Sequence, residues 1–170
     1  GRHAPGVDGF HAGFFQEFWN TVKGSLLEQI KSAFSTGELS SVLNQTLIVL
    51  IPKVASPEHI KQFRPISLCT VTYKLVTKVL VNRLRPFLRD LIAPFQTSFI
   101  PGRQVSDNIF LAQEVIHTIR KSKSKNGLMA IKIDLEKAYD RVRWDFLHET
   151  LIYFDLPDEW INLIMTCVTS

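Results

Sequence analysis

The residue pattern predicts an α+β fold in which helices dominate and a small sheet is subordinate. Apolar residues recur at helical spacing in five separate stretches, whereas two short apolar runs, Thr46–Ile51 and Leu128–Ile133, have the length and side-chain character of strands. Strand and helix do not alternate regularly, which argues against a doubly wound parallel sheet. With 170 residues, 45% of them hydrophobic, the chain can bury a core without disulfide staples, as one domain or a piece of one.

A turn of Ala4-Pro5-Gly6-Val7-Asp8-Gly9 opens the chain. Phe15, Phe18, Trp19, Val22, Leu26, Ile30 and Ala33 then share one helical face, so one helix is expected from about Phe14 to Phe34, with Gly37 as its stop. Thr46–Ile51 reads as a buried strand closed by Pro52, which leaves Lys53 just past a strand end. Pro57, Pro65 and their polar neighbours make Lys53–Pro65 read as a loop.

Tyr73, Val76, Leu80 and Leu84 form one face of the next helix, while Lys74, Lys78, Arg85 and, beyond Pro86, Arg89 gather on another as a basic stripe. Pro86 is expected to end or kink that helix. After a loop with Pro94, Pro101 and Gly102, Asp107 is expected to cap a helix whose apolar face is Ile109, Ala112, Ile116 and Ile119. A basic Lys/Ser connector leads to the Leu128–Ile133 strand, with Asp134 at its carboxyl edge. Trp144, Leu147, Leu151 and Phe154 line a further helix, and Pro157-Asp158-Glu159 starts a last one with Ile161, Ile164, Met165 and Val168 on its face. Phe14, Phe15, Phe18, Trp19, Trp144, Phe146 and Trp160 have rings that can stack on bases, but at this spacing core packing is the simpler assignment.

Several function classes are disfavoured. The apolar run Leu47–Ile51 is far short of the roughly 20 residues that span a bilayer, and no signal-peptide layout opens the chain, so no membrane partner is expected. Cys69 and Cys167 form no CxxC pair and the five histidines lack metal-ligand spacing, which argues against zinc and fits a reducing compartment. The sequon Asn44-Gln45-Thr46 matters only in a secreted protein and is set aside. Net charge is only +4, yet residues 61–132 carry 13 basic and 3 acidic side chains. Such a local excess is the footprint of a polyanion partner, or simply a solvated face balanced elsewhere in the fold.

Two constellations can carry chemistry. In Lys132-Ile133-Asp134-Leu135-Glu136-Lys137-Ala138-Tyr139-Asp140 an apolar strand delivers a carboxylate to its carboxyl end, where α/β folds meet their ligands. Mg²⁺ is satisfied by one or two carboxylates plus phosphate oxygens and water, so Asp134 is a candidate ligand, or else it only caps the following turn. Lys53, at a strand end, and Arg64, braced by Pro65, can clamp a triphosphate, the Arg fork being suited to bidentate contact; alone, such a pair is usually just solvated.

The order of motifs goes further. Ala4–Phe10, Leu50-Ile51-Pro52-Lys53, Phe63-Arg64-Pro65-Ile66-Ser67-Leu68 with Tyr73-Lys74 and Asn82-Arg83-Leu84, Gln96–Arg103 with Asp107-Asn108, and Lys132–Val142 follow one another as in the non-LTR (LINE-type) retrotransposon reverse transcriptases, which the chain resembles over almost its whole length. The resemblance implies helix-rich fingers and the start of a right-hand polymerase palm. It implies that Asp134 is the first catalytic aspartate and binds both metal ions beside the carbonyl of Leu135, with Mg²⁺ as cofactor and Mn²⁺ as a substitute. Tyr139 matches the aromatic gate that packs on the incoming sugar, or is an ordinary packed ring. Lys53 and Arg64 fall where the fingers supply cations to the triphosphate, and Arg103 with Lys74, Lys78 and Arg85 where template or primer phosphates pass; for the stripe a solvated face is an equal alternative. Asp140 is equally well explained as a charge complementing a helix N-terminus.

The partners so implied are an RNA template, a DNA primer and deoxynucleoside triphosphates; oligomeric state is left open. The family's second carboxylate site lies in an aromatic-Ala-Asp-Asp hairpin, and no Asp-Asp dipeptide occurs in this chain. The expectation is therefore a truncated fragment, inactive alone, with fingers and N-terminal helix in residues 1–127 and an incomplete palm in 128–170. Family members work in a cytoplasmic ribonucleoprotein and at nuclear DNA, which sets the expected localisation. Two rivals stay open: a non-catalytic nucleic-acid-binding relic, and a phosphatase with a strand-end aspartate nucleophile, which would want a second Asp where Glu136 stands.

Overall fold

The computed structural model describes residues 4–123, 125, 127–135 and 138–169, with Tyr139 described by its backbone alone. Its elements are α1 (Ala12–Glu17), α2 (Trp19–Thr36), β1 (Thr46–Pro52), β2 (Phe63–Cys69), α3 (Val71–Leu84), α4 (Leu88–Leu91), α5 (Val105–Lys121), α6 (Trp144–Tyr153) and α7 (Asp158–Thr169). Among the described residues the sheet is a single antiparallel pair, β1 with β2, so the α+β class with helices dominant is the one found. Contacts divide the chain into two compact units, Gly1–Leu80 with Trp144–Ser170, and Val81–Arg143.

In the first unit the periodic apolar faces of α2, α3 and α7 meet. Ala33, Val76, Leu80 and Leu163 are buried together, with Ile30, Phe34, Leu39, Trp160, Ile164 and Cys167 packed around them. Each buried Val or Leu contributes about 1.5–3 kcal/mol relative to exposure, which ties the two ends of the chain into one core. Gly37, in the left-handed region at φ 71°, ends α2 and donates its amide to the carbonyl of Ala33, as the sequence predicts.

Six expectations need correcting. The strand over Thr46–Ile51, expected to be buried, is present but exposed along its whole length, because it pairs with β2 alone among the described residues. The single helix expected from Phe14 to Phe34 is two helices broken at Phe18, whose φ −99° and ψ 25° leave the helical basin. The apolar spacing runs through the break without interruption, so the sequence carries no sign of it. Phe14, Phe15, Phe18, Trp19, Trp144 and Phe146, assigned to a core, instead lie at or near the surface, with Phe14 4.6 Å from Phe10 and 5.1 Å from Phe18, ring centre to ring centre. The presumed loop Lys53–Pro65 ends early, because β2 begins at Phe63. Pro65 sits opposite Leu50 in the register; in a two-stranded sheet both strands are edges, where a residue without an N–H is tolerated.

The Leu128–Ile133 run forms no strand: it is irregular and exposed, Ile133 to 81%. A strand needs a neighbour to accept its ladder, and none of the described residues pairs with this segment. Finally, the residue at the N-cap of α5 is Gln104, and Asp107 lies in the first turn, where its carboxylate still complements the helix dipole. The apolar face expected for α5 exists, but Ile109 and Ile116 are exposed and no described residue of the helix is buried.

Candidate nucleotide and nucleic-acid site

The β1–β2 hairpin positions Lys53 and Arg64. The register pairs Ile51 with Arg64 and Pro52 with Phe63, and the amide of Lys53 continues the ladder by donating to the carbonyl of Gln62 at 2.7 Å. Lys53 itself lies in the bend just past the end of β1, one residue beyond the last paired position. Both side chains are exposed.

The turn that joins the strands is held by side chains that sequence reading passed over. Gln62 Oε1 accepts from the amides of Glu58 and His59, at 2.6 and 3.0 Å, while the His59 side chain accepts from the Gln62 amide. This is a capping box with histidine in the Ser/Thr place, which is why its spacing does not announce itself. Lys53 Nζ donates to the carbonyl of Lys61 at 3.1 Å, so the ammonium is aimed back over the turn.

Helix α3 carries the first part of the basic stripe. Val76 and Leu80 are buried, and Thr72 with them, whereas Lys74 and Lys78 face outward one turn apart. The helix is fixed at its start by Thr70, 2% exposed, whose hydroxyl donates to Leu43 O and accepts from the Tyr73 amide. Tyr73 in turn donates its hydroxyl to Cys167 O at 2.7 Å, tying α3 to α7. Burial pushes the Tyr73 phenol up to about 12, with Cys167 and Cys69 adding, and burial pushes the Cys167 thiol up to about 11. At neutral pH both are protonated, and Cys167 has little thiolate with which to react. Arg85 lies one residue past α3 in the turn at Pro86, exposed.

In the second unit Arg103 organises a loop. Its two terminal nitrogens donate to four carbonyls, those of Arg89, Ile92, Ala93 and Gln96, at 2.6–2.8 Å. Asn108 adds bonds to Phe95 O at 2.8 Å and Thr97 Oγ1 at 3.3 Å. Asp134 and Leu135 lie on the irregular segment of the same unit, both exposed. Tyr139 is in a short 3-10 turn, Ala138–Arg141, and its side chain lies outside the described residues, as do Glu136 and Lys137. The structure thus sets Lys53 and Arg64 near the turn of one hairpin, puts Lys74 and Lys78 on one helix face, and gives Arg103 a role within its own loop.

A family model described as reverse transcriptase (RNA-dependent DNA polymerase) matches residues 51–170. The chain belongs to this family. The Transposon TX1 uncharacterized 149 kDa protein of Xenopus laevis is 34% identical over 167 residues, covering 98% of this chain. A retrovirus-related Pol polyprotein from the type-1 retrotransposable element R2 of Nasonia vitripennis is 30% identical over 168 residues, and one from the type-2 element R2DM of Drosophila melanogaster 23% over 161, covering 96% and 95% of this chain. These relatives bear out the resemblance to LINE-type enzymes read from motif order. The chain spans only 13–15% of the length of each.

Reverse transcriptases generally use divalent metal ions. Among the described residues no group of three or more His, Cys, Asp and Glu forms a metal cluster. The donors at Asp134 and Leu135 are a carboxylate and a carbonyl, hard oxygens of the kind Mg²⁺ selects, and both are open to further ligands. They suit a site completed by substrate phosphates and water rather than an all-protein cage. No helix of the described residues is long and apolar enough to cross a membrane.

Proposed function

We propose that the chain is the fingers and early palm, residues 1–127 and 128–170, of an RNA-directed DNA polymerase that extends a DNA primer on an RNA template. The observation that carries this reading is the match to the reverse transcriptase model from residue 51 onward, a stretch in which one hairpin carries Lys53 and Arg64 near its turn. These two cations take the incoming triphosphate, Arg64 by its fork and Lys53 as a point charge. Lys74, Lys78 and Arg85 meet template or primer phosphates, and Tyr139 packs on the incoming sugar and disfavours a 2′-hydroxyl. Arg103 serves by holding its loop, its terminal N–H groups being already committed to carbonyls.

Asp134 and the Leu135 carbonyl would hold Mg²⁺, or Mn²⁺ in its place; a divalent ion bound there neutralises triphosphate charge. The protein's part is to position the primer 3′-hydroxyl and the α-phosphate and to favour the charge that develops between them. The second carboxylate site of such an enzyme has no counterpart in these 170 residues, so the isolated chain is expected not to extend a primer.

The test is a chimera in which residues 1–170 replace the matching segment of a related polymerase. Primer extension on an RNA template that is lost in Asp134→Asn supports the reading, and a chimera equally active with Asp134→Asn overturns it. A second reading, binding without chemistry, is favoured by the exposure of Asp134 on an irregular segment, with no metal-holding cluster among the described residues. It predicts that the isolated chain binds nucleic acid with undiminished affinity after Asp134→Ala.

A further inference from the structure

We propose that the Phe99 ring is a stacking platform for an unpaired base of a single-stranded nucleic acid. The inference rests on the nucleic-acid reading above and adds the residue that meets a base rather than a phosphate. Phe99 is 80% exposed and has φ 67°, the left-handed region that bulky side chains avoid. A phenyl ring that is neither buried nor relaxed is an expense to the fold, and such strain persists only where the surroundings over-determine it.

The surroundings do so here. Arg103 ties the carbonyls on the N-terminal side of Phe99, Asn108 binds Phe95 O and Thr97 Oγ1, and the neighbouring Ile100, 9% exposed, anchors the loop in the unit. The ring is therefore held out by a pre-organised loop, which lowers the ordering cost of binding. Phe95, 75% exposed in the same loop, offers a second ring.

Charge decides what such rings meet. No carboxylate occurs between Asp90 and Asp107, and the loop lies within the segment of 13 basic and 3 acidic side chains. A loop with no carboxylate to repel phosphates, carrying two exposed aromatic rings, fits a strand with an anionic backbone and flat bases.

The test uses the 170-residue chain with a fluorescein-labelled oligouridylate of about 12 nucleotides and an abasic strand with the same number of phosphates, the length matching single-strand site sizes. Wild type should bind the base-bearing strand about 5- to 100-fold more tightly than the abasic one. Phe99→Asn, which tolerates the left-handed backbone and so keeps the loop, should lose most of that difference without changing abasic binding. Phe99→Trp should keep it, with indole fluorescence quenched by the oligouridylate. Equal affinity of wild type for the two strands overturns the stacking role while leaving phosphate binding intact. Binding of neither strand overturns the nucleic-acid reading and this inference with it. Self-association that Phe99→Asn abolishes, with oligouridylate affinity unchanged, would assign the ring to a protein contact instead.

Discussion

Gly6 shows how tightly one residue can be specified. A Cβ added there would lie 2.7 Å from both the carbonyl carbon of Cys69 and the amide nitrogen of Thr70. Backbone cannot swing aside as a long side chain can, and Thr70 is held by hydrogen bonds on both sides. Gly6→Ala is therefore expected to destabilise the first unit by about 1–3 kcal/mol, the usual range for overpacking, seen as a lower urea midpoint with an unchanged m-value. An unshifted midpoint would show that the opening turn is not packed on β2. Arg103 makes the complementary case. Arg103→Lys keeps the charge and loses the fork that reaches four carbonyls. Amide exchange across residues 92–103 should then quicken at least about tenfold, the equivalent of one charge-assisted hydrogen bond. Exchange as slow as in the wild type would mean that Asn108 and Ile100 suffice to hold the loop.

At the scale of elements, α3 is where structure and titration meet. Tyr73 loses its 2.7 Å bond to Cys167 O on substitution by Phe, which should cost about 0.5–1.5 kcal/mol at neutral pH. Its phenol is raised from 10.0 to about 12, so the native state holds that proton more tightly than the unfolded chain does. The contribution is complete below pH 10 and is lost as pH rises towards 12; Cys167, raised from 9.0 to about 11, acts in the same direction from pH 9 upward. Denaturant midpoints measured across pH 8–12 should fall in the wild type, and Tyr73→Phe should keep only the lower, cysteine part of that fall. Identical alkaline profiles would disprove the burial of the phenol. The elements also show what was legible in the sequence. The longer helices, apart from the break at Phe18, and the position of β1 follow from periodicity and from Pro and Gly punctuation, because both act locally. β2 was hidden by Pro65, which reads as a loop signal unless the strand is known to lie at an edge. The Leu128–Ile133 run misled in the opposite sense: its composition suits a strand, but pairing is a property of neighbours and not of six residues.

For the whole molecule, the candidate site was legible as residue types in order and not as geometry. Lys53 and Arg64 were visible as two cations, but only the hairpin register shows that they flank one turn, and the loop role of Arg103 depends on carbonyls that no motif records. The strongest whole-chain signal, the basic excess of residues 61–132, can be tested as such. If Lys74 and Lys78 contact phosphates, the logarithm of the affinity of the chain for an RNA·DNA hybrid should fall linearly with the logarithm of salt concentration, because each neutralised phosphate releases counterions. Lys74→Ala or Lys78→Ala should each flatten that slope by about one unit and weaken binding alike for every sequence, whereas Asp134→Asn should leave the slope unchanged. A slope insensitive to both lysines would return the stripe to a solvated helix face and move the polyanion contact to other cations of the chain.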